Sequence, residues 1–231
     1  MMLYDCRTVA ERDWGIRAAV EGIARGDLVV LPTDTVYGIA ADAFKPWAVT
    51  ALLNAKGRGR HMPPPVLVGS RQTLDGLVFS LPREARDLVE AFWPGALTIV
   101  VEQAPTLQWD LGDTYGTVAV RMPLHPVALE VLQHTGPLAV SGASRIGSAP
   151  AITAAAAREQ LGYSVTTYLE AGPCSDPIPS SIVDCTGAVP RVLRDGAIPF
   201  EKLVEVVPNI QPFTLAQPLL PGLPELSAKP E

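Results

Sequence analysis

Residues 165–193 read VTTYLEAGPCSDPIPSSIVDCTGAVPRVL, and their spacing discriminates between a parallel and a mixed sheet. Three short runs, Val165–Leu169, Ser181–Cys185 and Arg191–Leu193, are separated by segments rich in Gly and Pro. β-branched residues bounded by turn formers read as strands. The gaps are shorter than the crossover of a dozen or more residues that parallel neighbours need, so antiparallel pairs must occur and the sheet is predicted to be mixed. Working outward, Ile16, Val20, Ile23 and Ala24 have helical spacing and end at Gly26, followed at once by the apolar run Leu28–Leu31. Helices are predicted over 47–56, 83–92, 126–133, 154–161 and 200–207, and further strands over 65–68, 97–101, 117–121 and 137–141. Strands and helices interleaved in this way predict an α/β layer structure on one open, twisted, mixed sheet. Residues 1–207 are expected to form that single domain. Residues 208–231 contain six prolines without periodicity and are expected to be a disordered tail.

Composition narrows the function classes. With 48% hydrophobic residues and a net charge of −6 over 231 residues, the chain can build one sizeable core. The longest apolar run, Phe92–Val101, is interrupted by Pro94-Gly95 and is about half the length a membrane helix requires, so no membrane span is expected. An acidic, charged N-terminus does not read as a secretory signal, and a cytoplasmic location is expected. Cys6, Cys174 and Cys185 are too scattered for a disulfide framework or a CxxC metal site. The acidic balance also counts against indiscriminate binding to nucleic acid.

Chemistry-bearing residues gather at strand ends. Thr33, Asp34, Thr35 and Tyr37 lie on a turn after the apolar run Leu28–Leu31, where α/β sheets place ligands, although Thr33 and Asp34 could equally cap the turn. Lys56, Arg58 and Arg60 put three cations within five residues at a helix C-terminus. That placement already suits the helix dipole, but the interleaved glycines allow the close backbone approach a polyphosphate needs. Arg121 ends the run Thr117–Arg121, either on the outer face or at the mouth of a site. Ser141–Gly147 is a small-residue loop whose amides could meet an anion, and Ser180, Ser181 and Arg194 stand at the ends of the last two strands. There is no Walker A loop, HExxH motif or Ser-His-Asp signature.

Taken in order, PTDTVYG at 32–38, AKGR at 55–58, FWPGALTIVV at 92–101, TVAVRMPLHP at 117–126, SSIVD at 180–184 and VLRDGAI at 192–198 resemble the YrdC-like threonylcarbamoyl-AMP synthase family over roughly residues 15–207. The resemblance implies a single YrdC-like domain with a concave basic pocket. It also implies a nucleotidyltransferase that joins L-threonine, bicarbonate and ATP, with Mg2+, into threonylcarbamoyl-AMP and pyrophosphate. The product would pass to a downstream tRNA threonylcarbamoyltransferase for tRNA modification. Carried over residue by residue, the resemblance puts Lys56 and Arg58 on the ATP phosphates as the catalytic cations, and Thr35, Arg121 and Ser180 on the amino acid. Thr117, Ser144 and Arg194 fall near the nucleotide. Arg60 is expected to add charge stabilisation beside Lys56 and Arg58.

Four positions depart from the family pattern: Gly142 and Ser144 replace the serine and asparagine of SANxSG, Gly69 replaces a frequent histidine, and Asp195 replaces a proline. The changed loop raises one alternative, a non-catalytic or substrate-shifted paralogue that binds nucleotide or amino acid. The family's link to tRNA raises another, an RNA-binding module, against which the net charge of −6 counts.

Overall fold

Helix α1 (Val9–Arg25) turns Ile16, Ala19 and Ile23 inward and stops where Gly26 adopts a left-handed φ of 90°, its N–H returning to the helix. The computed structural model, which describes residues 1–214, places ahead of it an edge strand β1 (Met2–Asp5). The chain continues through β2 (Val29–Leu31), β3 (Gly38–Asp42), α2 (Pro46–Lys56), β4 (Val66–Leu67), α3 (Arg71–Leu77), α4 (Arg83–Phe92), β5 (Leu97–Glu102), β6 (Thr117–Arg121), α5 (Pro126–Thr135) and β7 (Leu138–Gly142). It closes with α6 (Ala154–Leu161), a 3-10 turn at Gly162–Ser164, β8 (Thr167–Glu170), β9 (Ser181–Asp184), β10 (Arg191–Arg194) and α7 (Phe200–Val206). Proline at the first position of α2 and α5 costs no hydrogen bond and presets the helical φ.

The ten described strands form one sheet in the order β1-β8-β2-β3-β7-β4-β6-β5-β9-β10. Pairs β1/β8, β8/β2, β4/β6 and β5/β9 are parallel and the others antiparallel, the mixed sheet read from residues 165–193. Three elements lay outside the sequence expectation. Strand β3 is GIAAD, weak in β propensity, and exists because β2 and β7 pair with it on both sides. Strand β1 forms by pairing with β8, which lies more than 160 residues along the chain. Helix α3 is a seven-residue helix with an internal glycine, begun by Ser70, whose Oγ accepts the Thr73 N–H at 3.2 Å. The expected domain end at 207 falls too early. Ile210 is buried, Phe213 packs on the core, Val192 N–H donates to the Gln211 carbonyl at 2.9 Å, and Gln211 N–H donates to the Pro190 carbonyl at 2.9 Å. The remainder of the expected tail, 215–231, lies outside the described residues.

Alternation along the strands distributes the core. Toward β2 and β3, residues such as Val29, Leu31 and Ala40 pack against α1 and α5, while Leu28, Val30 and Ile39 pack against α2 and α6. Toward β5 and β9, Ile99, Val101, Val118, Val120 and Val183 pack under α3, α4 and α7. The opposite face of that half carries only a small cluster of Val100, Ile182 and Leu193, with Ala119 against it. Helices therefore cover three of the four half-faces, and the fourth is left for the site.

Gly69 follows β4 where α5 crosses, and a Cβ there would meet the Leu132 carbonyl carbon at 3.1 Å and the Gln133 nitrogen at 3.2 Å. The histidine frequent in the resembling family cannot stand there unless α5 moves. Gly69→Ala should lower unfolding stability by about 1–3 kcal/mol, read from the denaturant midpoint at unchanged slope.

Candidate functional site

A cavity of about 250 Å3 opens over the middle of the sheet on the uncovered face. Nearly every central strand contributes: Gly38 from β3, Ser141 and Gly142 from β7, Leu67 from β4, Ala119 and Arg121 from β6, Thr98 from β5 and Ile182 from β9. Because Val118 and Val120 point into the helix-covered core, Ala119 and Arg121 must point into the cavity.

Arg121 is 7% exposed and fully committed on one side. Its Nε donates to the Gly95 carbonyl at 2.9 Å, its Nη1 to Thr35 Oγ1 at 2.9 Å and its Nη2 to Asp34 Oδ1 at 2.6 Å. The same Asp34 oxygen accepts the Leu124 N–H at 2.9 Å. Burial lowers the Arg121 pKa, and the Asp34 carboxylate opposes that shift. A guanidinium has five N–H donors, so two remain for a ligand. Thr33 Oγ1 gives its proton to the Val36 carbonyl at 2.6 Å and stands 3.1 Å from Thr35 Oγ1. Thr35 therefore takes a bond from Arg121 and keeps its own proton for Thr33 or a bound molecule.

The opposite wall is cationic. Lys56, at the end of α2, is 3% exposed and donates to the backbone carbonyls of Gly142 and Ser144. Burial, with Arg58 nearby, pulls its pKa down to about 7. Arg58 lines the same space, its Nε is buried without a hydrogen-bond partner, and burial lowers its pKa. Arg194 donates from Nε to the Ser180 carbonyl at 2.9 Å and from Nη2 to Ser180 Oγ at 3.0 Å. Burial first, then Arg121 and Arg58, bring its pKa to about 10. Ser180 Oγ also shares a proton with Thr98 Oγ1 at 2.8 Å. Among the described residues no acidic side chain lines the cavity, so Lys56, Arg58 and Arg194 face it without a carboxylate partner there. Such a site favours a polyanion, because a buried cation left alone is costly and a phosphate oxygen relieves it.

The structure thus gathers Thr35, Lys56, Arg58, Arg121, Ser144, Ser180 and Arg194 around one space. Two expected residues are elsewhere. Thr117 opens β6 at the end away from Arg121, donates to the Thr114 carbonyl at 2.8 Å and lines a surface cleft with Phe79 and Tyr115. Arg60 is exposed and held by Asp110 at 2.9 and 2.8 Å, with Asp113 at 3.6 Å, so its charge is spent outside the cavity. Thr98 was not anticipated. A hydroxyl in the apolar run 97–101 was the available signal, since it must find a buried partner.

The departures in the 142–144 loop are milder in structure than in sequence. Lys56 contacts the backbone carbonyls of Gly142 and Ser144, which any side chain leaves in place. A Cβ at Gly142 would find only Val36 Cγ2 at 3.8 Å, ordinary contact, so a serine fits there.

Three comparisons bear on this arrangement. The Sua5/YciO/YrdC family, described as "Telomere recombination", matches residues 21–196. A provisionally named threonylcarbamoyl-AMP synthase of Mycobacterium tuberculosis is 58% identical over 88% of this chain and 94% of its own. The threonylcarbamoyl-AMP synthase of Bacillus subtilis is 31% identical over 86% of this chain and 58% of its own. Among solved structures, Pyrococcus abyssi Sua5 complexed with L-threonine superposes with a TM-score of 0.86 at 32% identity, covering 92% of this chain and 63% of that longer one. Escherichia coli YciO, at 20% identity and a TM-score of 0.75, shares the fold.

Two outcomes test the site as built. Gly196 sits so close to the Ser180–Ser181 backbone that a Cβ would fall within 3.0 Å of it, so Gly196→Ala should displace Ser180 and weaken ligand binding about tenfold or more, measured by calorimetry with ATP. Lys56 titrates near 7 when folded and at its ordinary 10.5 when unfolded. Between those values the unfolded chain binds the extra proton, so this residue makes stability rise with pH. Lys56→Met should flatten the rise across that window in denaturant titrations.

Proposed function

The chain belongs to the Sua5/YciO/YrdC family, and from that premise we propose that it is an L-threonylcarbamoyladenylate synthase acting through the cavity just described. The observation that carries this reading is three cations, Lys56 buried and Arg58 and Arg194 half-buried, with no carboxylate partner in the cavity lining among the described residues, facing a hydroxyl-lined wall that holds two spare guanidinium N–H groups. Threonine, bicarbonate and ATP are the substrates. The threonine amine condenses with bicarbonate to a carbamate as water leaves, and a carbamate oxygen then attacks the α-phosphorus as pyrophosphate leaves. No protein nucleophile is needed, and catalysis consists of alignment and charge stabilisation.

Each residue has a role in that scheme. Lys56, Arg58 and Arg194 hold the triphosphate and receive the charge that develops on pyrophosphate. Lys56, near neutral when the cavity holds no anion, takes up a proton as the phosphates arrive. Arg121 offers its two remaining N–H groups to the threonine carboxylate, and Thr35 and Ser180 orient the amino acid through their hydroxyls. Ser144 lies at the lip of the nucleotide side. Mg2+ enters with ATP as the substrate complex. The cavity lining has hydroxyls and carbonyls but no carboxylate, and no cluster of three or more His, Cys, Asp or Glu stands ready to hold a metal among the described residues. The adenylate then passes to a tRNA threonylcarbamoyltransferase, the partner that this labile mixed anhydride requires.

Purified protein with ATP, Mg2+ and bicarbonate should release pyrophosphate when L-threonine is added and much less with L-serine. Arg58→Ala should reduce that release by about a hundredfold or more, since a charge-assisted contact to a phosphate is lost. The double variant Gly142→Ser/Ser144→Asn should change kcat/KM by less than about tenfold, because the backbone contacts to Lys56 persist. A larger rise would favour the paralogue reading, in which the present loop has lost function. Threonine-independent release, or none, would overturn the assignment.

A further inference from the structure

We propose that the buried Tyr37 and the half-buried Glu170 form a positioning pair that sets both loops bordering the cavity, 143–151 and 171–180. Tyr37 is 1% exposed, and its Oη lies 2.8 Å from Glu170 Oε1 and 2.7 Å from the Gly172 carbonyl while accepting the Ala171 N–H at 2.9 Å. Glu170 uses both of its oxygens. Oε1 also takes the Gly172 N–H at 2.7 Å, and Oε2 takes the Ala154 N–H at 2.9 Å and the Ala155 N–H at 3.4 Å. Those last two are the first amides of α6, so the carboxylate caps the helix that begins just after the first loop, beside Thr153, whose Oγ1 accepts the Ala156 N–H at 3.0 Å.

The backbone of the same tyrosine holds that first loop at both ends. Ala143 N–H donates to the Tyr37 carbonyl at 2.7 Å, and Tyr37 N–H donates to the Ala151 carbonyl at 3.3 Å. The second loop starts on the pair, at Ala171 and Gly172, and is tied to the first by Cys174 N–H donating to the Ile152 carbonyl at 2.8 Å. These loops supply Ser144, Pro150, Pro179 and Ser180 to the cavity, whereas Glu170 does not line it. Tyr37 closes the segment that carries Thr33 and Thr35, so one phenol links three walls of the cavity. The cavity's shape on these sides is fixed by a phenol–carboxylate contact behind it.

The kinetic part of the test rests on the synthase reading, and the exchange part does not. Tyr37→Phe removes the phenol and leaves the Ala171 N–H without this acceptor. Glu170→Gln turns one oxygen into a donor facing a backbone N–H. In each variant, amide exchange in 143–152 and 171–180 should quicken about tenfold or more while β2 to β7 stay protected. KM for ATP and for threonine should rise about tenfold with kcat within about twofold, since loops that are mispositioned weaken binding. The double variant should be no worse than Glu170→Gln alone, as expected of two residues in one network. A residue that serves stability alone would lower the active fraction, and so kcat, with both KM values unchanged. That result, or unaltered exchange in the two loops, would overturn the inference. If the unmodified protein released no pyrophosphate, the synthase reading would fall and the exchange result alone would decide the pair.

Discussion

The buried guanidinium of Arg121 is the constraint on which the site depends. A cation with 7% exposure is tolerated only if its donors are met, and here three separate segments meet them: the 34–35 turn, Gly95 before β5, and, through Asp34, the start of the turn after β6. That requirement brings the PTDT turn and the end of β6 together although they are more than eighty residues apart in sequence. It also leaves Arg121 compensated by Asp34, with its role reduced to directed hydrogen bonding. Neighbouring cations are treated differently. Lys56, Arg58 and Arg194 receive only carbonyl or hydroxyl partners, or none at Arg58 Nε, so their charge is available to a ligand. One wall is thus suited to a planar carboxylate by geometry, and the other to a polyanion by field.

The sheet makes this division possible. A mixed sheet brings ends of both kinds of pair to one site: antiparallel β3 and β7 set Gly38 opposite Gly142, and parallel β4 and β6 end side by side at Leu67 and Arg121. Three half-faces are covered by helices and supply stability, and the face over β6, β5 and β9 is left to loops. A site on that face can vary its loops, as at 142–147, without disturbing the hydrophobic clusters beneath. Close backbone approach at Gly196 then seats Ser180 against Arg194.

Much of this was legible in the sequence. Helices α2, α4, α5 and α6 and strands β5, β6 and β9 follow from periodicity and punctuation, and seven of the eight residues carried over from the family motifs, Ser144 of the altered loop among them, face one cavity. What escaped depends on pairing in three dimensions. Strand β3 has no local β signal, and β1 exists only through β8. Thr117 and Arg121 look equivalent in TVAVR, since both are polar ends of one strand on one face, but four residues of strand separate them by about 13 Å. Arg60 shares its motif with Lys56 and Arg58, yet Asp110, fifty residues later, claims it. Tyr37 drew notice only as a phenol on the turn, because its partner Glu170 lies 133 residues away.

In the proposed reaction one cavity joins an amino acid, a one-carbon acid and a nucleotide without a protein nucleophile. Incubation with isotopically labelled bicarbonate, L-threonine and ATP, followed by mass spectrometry of the nucleotide fraction, tests it directly. The expected product is threonylcarbamoyl-AMP bearing the label in its carbamoyl carbon, formed in step with pyrophosphate. Formation of threonyl-AMP without the labelled carbon, or pyrophosphate without any adenylate of threonine, would contradict it.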